Sequence, residues 1–219
     1  MEKLSFNHQN TADKVLLALQ NKIIRREWKP NQRIYVDKLS KEFNISQTPI
    51  REALYKLAGM NLVNIKPRLG IYAASFSKQD VREILEIRMV LETLAIQKIS
   101  EIYEDLITKM KNNLRLFRET LKAGDFAANN EIDRAFHFLI IEASGSKQLC
   151  RVYQNLHSHL IVQMLLYEDE KKALEELHMT GKEHLKIAQA FEKKDKKEIR
   201  KAVRNHLNNV KQRIAKSVY

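Results

Sequence analysis

The stretch ISQTPIREAL, Ile45 to Leu54, decides how this 219-residue chain folds. Ser46 is placed to cap a helix by accepting a bond from an early amide that otherwise lacks a partner. Pro49 falls in the first turn, where a missing N–H is harmless and a fixed φ suits the helix. Ile50, Leu54 and Leu57 recur at helical spacing and bury one face, which leaves Gln47, Thr48 and Arg51 pointing outward. A short helix with hydrogen-bonding side chains crowded at its N-terminal end is what the DNA major groove accepts. Any capped amphipathic helix shares these features, so the flanks have to decide.

Upstream, Val15, Leu16, Leu19, Ile23 and Ile24 predict an amphipathic helix over roughly 11–27. The run Trp28-Lys29-Pro30-Asn31 breaks it, and Arg33 to Val36 has the β-branched and aromatic content of a short strand. Asp37 is placed to cap a second helix carrying Leu39 and Phe43, with Asn44 making the tight turn. Downstream, Leu62–Lys66 and Ile71–Ala74 alternate as two strands around Pro67-Arg68-Leu69-Gly70. Gly70 is expected at a positive φ. Three helices followed by a hairpin with a basic tip form a winged helix-turn-helix.

These residues resemble the GntR family of bacterial transcription regulators over Val15 to Ala74. The Lys29-Pro30-Asn31 turn, the Leu39 helix, the run Thr48 to Leu54 and the Leu62-Val63 step carry the resemblance. It implies that Ser46, Gln47, Thr48 and Arg51 face DNA, and that Lys66 and Arg68 on the wing approach phosphate or the minor groove. Gln47 stands where many members have arginine, and Met60-Asn61 where they have Glu-Gly. Arginine forks to guanine whereas glutamine pairs better with adenine, so the operator should differ from that of relatives.

Charge agrees with a nucleic-acid partner at this end. Residues 1–75 hold thirteen Lys/Arg against six Asp/Glu, a net +7 of the chain's +12, and that excess is an electrostatic footprint for phosphate. The single cysteine, Cys150, excludes an intrachain disulfide and is expected to pack as a core residue in a reducing compartment. No run of eighteen apolar residues and no signal-peptide core is present, so the expected location is cytoplasmic, with no membrane partner. All three prolines lie in the first third. The expected plan is a winged helix-turn-helix domain over 1–75, a short linker over 76–80, and an all-α bundle of six or seven helices over 81–219.

In that second part, helices are expected from Lys78 to about Tyr103, Leu106 to Leu121, Phe126 to Ala143, and Gln148 to about Tyr167. A short one over 170–178 should precede His184–Lys193 and Lys196–Lys216. Val90, Leu94 and Val152 fall on the apolar stripes. Asp133 and His137 are four apart and share a face of a largely buried helix, where both need partners. His184 opens the penultimate long helix, and His206 lies among Val203, Leu207 and Val210. An aspartate and three histidines converging in a bundle core make a divalent metal site, zinc first, with nickel, manganese or iron as alternatives. His8, His157, His159 and His178 are left out. His157 and His159 would point about 200° apart on a helix.

The pattern Asp133-x-x-Phe136-His137, Glu183-His184 and His206-Leu207 resembles the FCD effector-binding domain of the FadR subgroup of GntR regulators. Arg88 and Glu92 stand like that domain's Arg…Glu pair, and Gly124-Asp125 matches its Gly-Asp turn. Ser146 departs from it, standing where asparagine is frequent. The resemblance implies a metal-binding member in which Arg88 lines the cavity and forks onto an effector carboxylate. The alternative for Arg88 is a salt bridge to Glu92 or Glu86. The expected function is a homodimeric regulator that binds a palindromic operator under the control of a small organic acid held at the metal. A direct metal sensor and a metal-dependent hydrolase are the rivals. An enzyme is not expected, since no Glu or His in the motif is spare to act as general base and a winged helix would be unexplained. The basic last helix reads as a solvated face.

Overall fold

Helix α3 (Gln47–Gly59) forms where the Thr-Pro-Ile-Arg run predicts it, with Ile50, Leu54 and Leu57 fully buried. The computed structural model describes residues 8–24, 27–156 and 170–216. Helix α1 (His8–Ile24) packs on α3 and supplies Val15, Leu19 and Ile23 to the same core. Each such side chain contributes roughly 1.5–3 kcal/mol of burial. Ser46 is the N-cap residue in extended backbone, but its hydroxyl makes no capping bond. The third helical position is Pro49, which has no N–H to offer. Helix α2 (Val36–Phe43) begins one residue before Asp37, with Tyr35 as N-cap. Asp37 therefore favours the helix by its charge in the first turn rather than by capping. Asn44 closes α2 in the left-handed conformation, with φ 52°.

Strand β1 is only Arg33–Ile34. With β2 (Val63–Lys66) and β3 (Gly70–Ala73) it forms an antiparallel sheet of order β1-β3-β2. Val63 pairs with Ala73 and Lys66 with Gly70. The wing turn is closed by the Leu69 N–H donating to the Lys66 carbonyl at 3.0 Å. Pro67 precedes Arg68, whose φ is +63°, so this is a type II turn with arginine at the position glycine favours. Gly70 has φ +126°, and a Cβ there would meet Arg33 Nε at 3.0 Å.

The chain passes from one compact unit to the other between Phe76 and Ser77. The second unit holds α4 (Lys78–Lys98), α5 (Glu104–Ala123), α6 (Phe126–Glu142), α7 (Lys147–Gln154), α8 (Glu170–Glu192) and α9 (Lys196–Lys216). Residues 78–80, expected as linker, are the first turn of α4. A reciprocal capping box starts it: Ser77 Oγ accepts from the Asp80 N–H at 3.1 Å, and Asp80 accepts from the Ser77 N–H at 2.7 Å. Ser77→Ala is expected to lower stability by about 1 kcal/mol, read as a shifted urea midpoint. Bonds from Ser77 hold the Asp80 carboxyl below its ordinary range. The contribution of that carboxylate is therefore present above about pH 4 and lost as pH falls.

Several boundaries differ from expectation. Helix α4 ends at Lys98, with Ile99 as its C-cap. Residues 170–178 and 184–193 belong to one continuous helix, so His184 lies in its interior instead of opening it. Helix α7 ends at Gln154, and the expected positions Leu160, Val162 and Leu165, with His157 and His159, lie outside the described residues. Val90 (66%), Leu94 (39%) and Val152 (54%) are exposed rather than buried, and Cys150 is half-buried.

Two local devices set α6 and α8. Gly124 turns the chain left-handed, and Asp125 caps α6 by accepting from the Ala128 N–H at 3.0 Å. Buried Asn129 then donates to the Phe117 carbonyl and to Thr120 Oγ1, both at 3.0 Å, and ties α6 to the end of α5. Gly181 lets α8 approach α5: a Cβ there would lie 3.2 Å from Phe117 Cε1.

Candidate functional sites

Helices α6, α8 and α9 bring His137, His184 and His206 together, with one ligand nitrogen from each lying within 4.8 Å of the others. All three rings are buried, and each pair of ring centroids is 4.9 Å apart. His137 Nε2 is 3.1 Å from His184 Nε2. Asp133, one turn before His137, places Oδ1 3.4 Å from His184 Nε2 and is the most exposed member, at 15%. The three histidines expected from the sequence are thus gathered at one point, with Asp133 beside His184.

Carboxylates back two of the rings. His137 Nδ1 is 2.9 Å from Glu92 Oε2, and His206 Nδ1 is 2.7 Å from Glu183 Oε2. An Nδ1–H donated outward to a carboxylate leaves the Nε2 lone pair facing inward, the arrangement in which imidazole ligates metal. His184 has no such partner: its Nδ1 is buried and unbonded among the described residues. Phe136 holds that ring instead, stacked at 4.3 Å and 9°, with Phe117 edge-on at 5.6 Å.

Burial pushes His184 well below the usual imidazole value, and His206 is also lowered by burial despite Glu183. Burial acts to raise Glu183, but bonds from His206 and Arg213 outweigh it and hold its pKa at about 2. Glu92 is likewise held well below the carboxylate range, because the charges of His137 and Arg88 overcome its burial. Two imidazoles that burial holds neutral, His137 beside them, an aspartate and compensated carboxylates behind them fit a divalent cation of borderline hardness. Without a cation or a shared proton, inward lone pairs at 3.1 Å would repel.

Arg88 is buried, and its Nε donates to Glu92 Oε1 at 3.1 Å, so the intrahelical pair exists. Tyr153 OH donates to the same oxygen at 2.7 Å. Glu92 therefore links Arg88, Tyr153 and His137. Sequence reasoning missed this hub, and also Glu183, which Arg213 (2.8 Å) and Asn209 (2.9 Å) clamp from α9. It missed Asn130 as well, which is fully buried on α6 with both amide atoms unbonded among the described residues. Asn130 shares the Asp133–His137 side of the helix, three and seven residues away. The signal was available: an amide at that spacing on a buried face needs a partner.

On the first unit, Ser46, Gln47, Thr48 and Arg51 are exposed at the start of α3, and Lys66 and Arg68 are exposed on the wing. Arg51 Nη2 donates to Gln47 Oε1 at 3.2 Å, which holds the guanidinium beside the helix N-terminus. Lys66 lies 4.8 Å from the centroid of the Tyr72 ring. Arg51→Ala is expected to weaken operator binding by roughly 1–3 kcal/mol while leaving binding to scrambled duplex nearly unchanged. Equal losses on the two duplexes in gel shifts would show that Arg51 contacts phosphate only.

A winged helix joined to an α-bundle that gathers an aspartate and three histidines defines a two-part regulator. Residues 83–209 match the FCD domain, and residues 11–72 match the bacterial regulatory proteins of the gntR family. The chain belongs to the GntR family, with an FCD domain as its second part, and is a DNA-binding transcription regulator, not an enzyme. It is 29% identical to the HTH-type transcriptional regulator YdhC of Bacillus subtilis (strain 168), over 87% of this chain and 85% of that protein. It is 23% identical to the gluconate operon transcriptional repressor of Bacillus licheniformis, over 94% and 85%. The crystal structure of a transcriptional regulator GntR from Rhodococcus sp. RHA1 superimposes with a TM-score of 0.77, at 16% identity, over 95% of this chain and 99% of that one. Among the described residues no helix is long and apolar enough to cross a membrane.

Proposed function

We propose that the chain is a cytoplasmic, ligand-responsive regulator whose FCD domain holds a divalent metal through Asp133, His137, His184 and His206. The observation that carries this reading is the convergence of three buried imidazole nitrogens within 4.8 Å, two of them backed by carboxylates. Zinc suits the donor set first, with nickel, manganese and iron as alternatives. A bound ion supplies a positive, Lewis-acidic centre at which a small organic acid is recognised. Four protein ligands leave positions open on an ion that expands its coordination, and Arg88 and the unbonded amide of Asn130 would meet the rest of such a ligand. A relative named for the operon of a sugar acid agrees with a carboxylate effector.

The winged helix reads a palindromic operator as half of a homodimer, through Ser46, Gln47, Thr48 and Arg51 in the major groove, with Lys66 and Arg68 on the backbone or minor groove. The effector controls the regulator by binding its DNA-bound and free states with different affinity, since equal affinity would shift nothing.

Metal analysis of the purified chain, paired with a thermal-shift screen of small carboxylates, tests the reading. About one divalent ion per chain, and a carboxylate that raises the melting temperature only when the ion is present, are the expected results. An ion-free protein that no divalent metal stabilises would overturn the metal centre. A metal that alone changes operator affinity, with no responding carboxylate, would favour direct metal sensing.

A further inference from the structure

A hollow of about 390 Å³ opens between α8 and α9, along the seam of the helical hairpin they form. It is there because Ala190 from α8 and Ala202 from α9 line the seam where larger side chains would fill it. The volume lies at the low end of the roughly 300–1,000 Å³ that small-molecule sites occupy. Three long cations reach its rim: Lys186, Lys193 and Lys201 line it and are exposed. Lys201 lies 3.9 Å from Glu198, and among the described residues no carboxylate pairs with Lys186 or Lys193. Away from the hairpin turn the lining changes to the amides of Asn205 and Asn209, and it ends at the buried Glu183–His206 pair. Glu183 presents little free charge there, because Arg213 holds it at 2.8 Å and His206 at 2.7 Å.

We propose that this hollow binds a small phosphate monoester whose body carries hydroxyl groups. The phosphoryl group sits between Lys193 and Lys201, and the hydroxyls lie along Asn205 and Asn209. The site goes beyond the metal-centred effector described above and does not depend on it; it gives the helical unit a second input. Three ammonium groups around one hollow ask for more than the single charge of a carboxylate, and a phosphate monoester carries nearly two. Ammonium groups act on phosphoryl oxygens as point charges, with charge-assisted hydrogen bonds. Side-chain amides both donate and accept, as hydroxyls do. Length is limited too. Glu198 closes the hollow near the turn and Glu183 closes it at the far end, so a chain of phosphates running through it would be repelled at both limits.

Isothermal titration calorimetry with glucose 6-phosphate tests the proposal on the full chain, both as purified and after chelation of divalent ions. One ester per chain is expected in both preparations, with inorganic phosphate weaker and glucose silent. Ala202→Leu keeps every charge and suits a helix but fills the hollow, and is expected to abolish binding. Lys193→Gln with Lys201→Gln is expected to weaken it at least tenfold. Lys182→Gln, exposed on α8 outside the hollow, should leave the affinity native. The substituted lysines are exposed, so helical circular dichroism stays near native, and the lysine pair keeps the test decisive should Ala202→Leu fold poorly. A native chain that ignores the ester, or binds inorganic phosphate equally well, would overturn the proposal. So would binding indifferent to Ala202→Leu and to the lysine pair. Binding lost on chelation would place the ester at the histidines instead, overturning this site while leaving the metal reading intact. A lysine pair that weakens scrambled duplex as much as it weakens the ester would make the rim a nucleic-acid surface.

Discussion

Exchanging both His137 and His206 for alanine is expected to reduce bound divalent metal from about one ion per chain to background. The two rings come from α6 and α9 and present their inward nitrogens beside that of His184. Removing them leaves one imidazole and one carboxylate, too few donors for a closed site. Metal analysis after exhaustive dialysis reads the result directly. Any thermal shift produced by a divalent ion should vanish with it, because the stabilisation follows ligand concentration over dissociation constant. The double variant retains Phe136 stacked on His184 and the α5–α6 cap at Asp125, so the bundle should still form. A variant with unchanged metal content would remove the four-residue assignment.

Glu92→Leu is the second large effect. This carboxylate is fully buried and serves Arg88, Tyr153 and His137 together. Its loss takes from a buried guanidinium its hydrogen-bonded countercharge, and breaking a buried ion pair in this way costs about 3–5 kcal/mol. Urea unfolding of the metal-free protein, followed by helical circular dichroism, should show that loss in the transition of the helical unit. Replacing both partners (Arg88→Met with Glu92→Leu) should recover most of it, because neither charge then needs solvation. A single-variant loss below about 1 kcal/mol would mean that water reaches Arg88.

The residues that converge in the bundle were legible because their geometry is local. Asp133 and His137 lie one turn apart, and His184 and His206 each sit in an apolar helical stripe, so residue type and period suffice to nominate them. The carboxylates behind them were not legible for the same reason. Glu183 is adjacent to His184, yet neighbours on a helix point about 100° apart, and it serves His206 on another helix instead. Whether Glu92 meets His137 depends on how α4 rotates against α6 across 45 residues of sequence, and no local period encodes that rotation. Apolar stripes misled in the opposite direction. Val90 and Leu94 have the spacing of core residues, and spacing alone does not distinguish a face buried within a chain from one left at its surface. The helix ends failed through single backbone groups, such as the amide that Pro49 cannot provide to Ser46.

The wing turn has a further consequence. Its type II geometry asks for a residue tolerant of positive φ at position 68, and glycine would adopt it freely. An L-residue there is disfavoured by roughly 1–2 kcal/mol, and the chain carries arginine at φ +63°. Selection for foldability alone would have softened this position. Under the proposed contact of Arg68 with phosphate, a long cationic arm outweighs local comfort at the wing tip, and glycine there would relieve the strain at the expense of that contact.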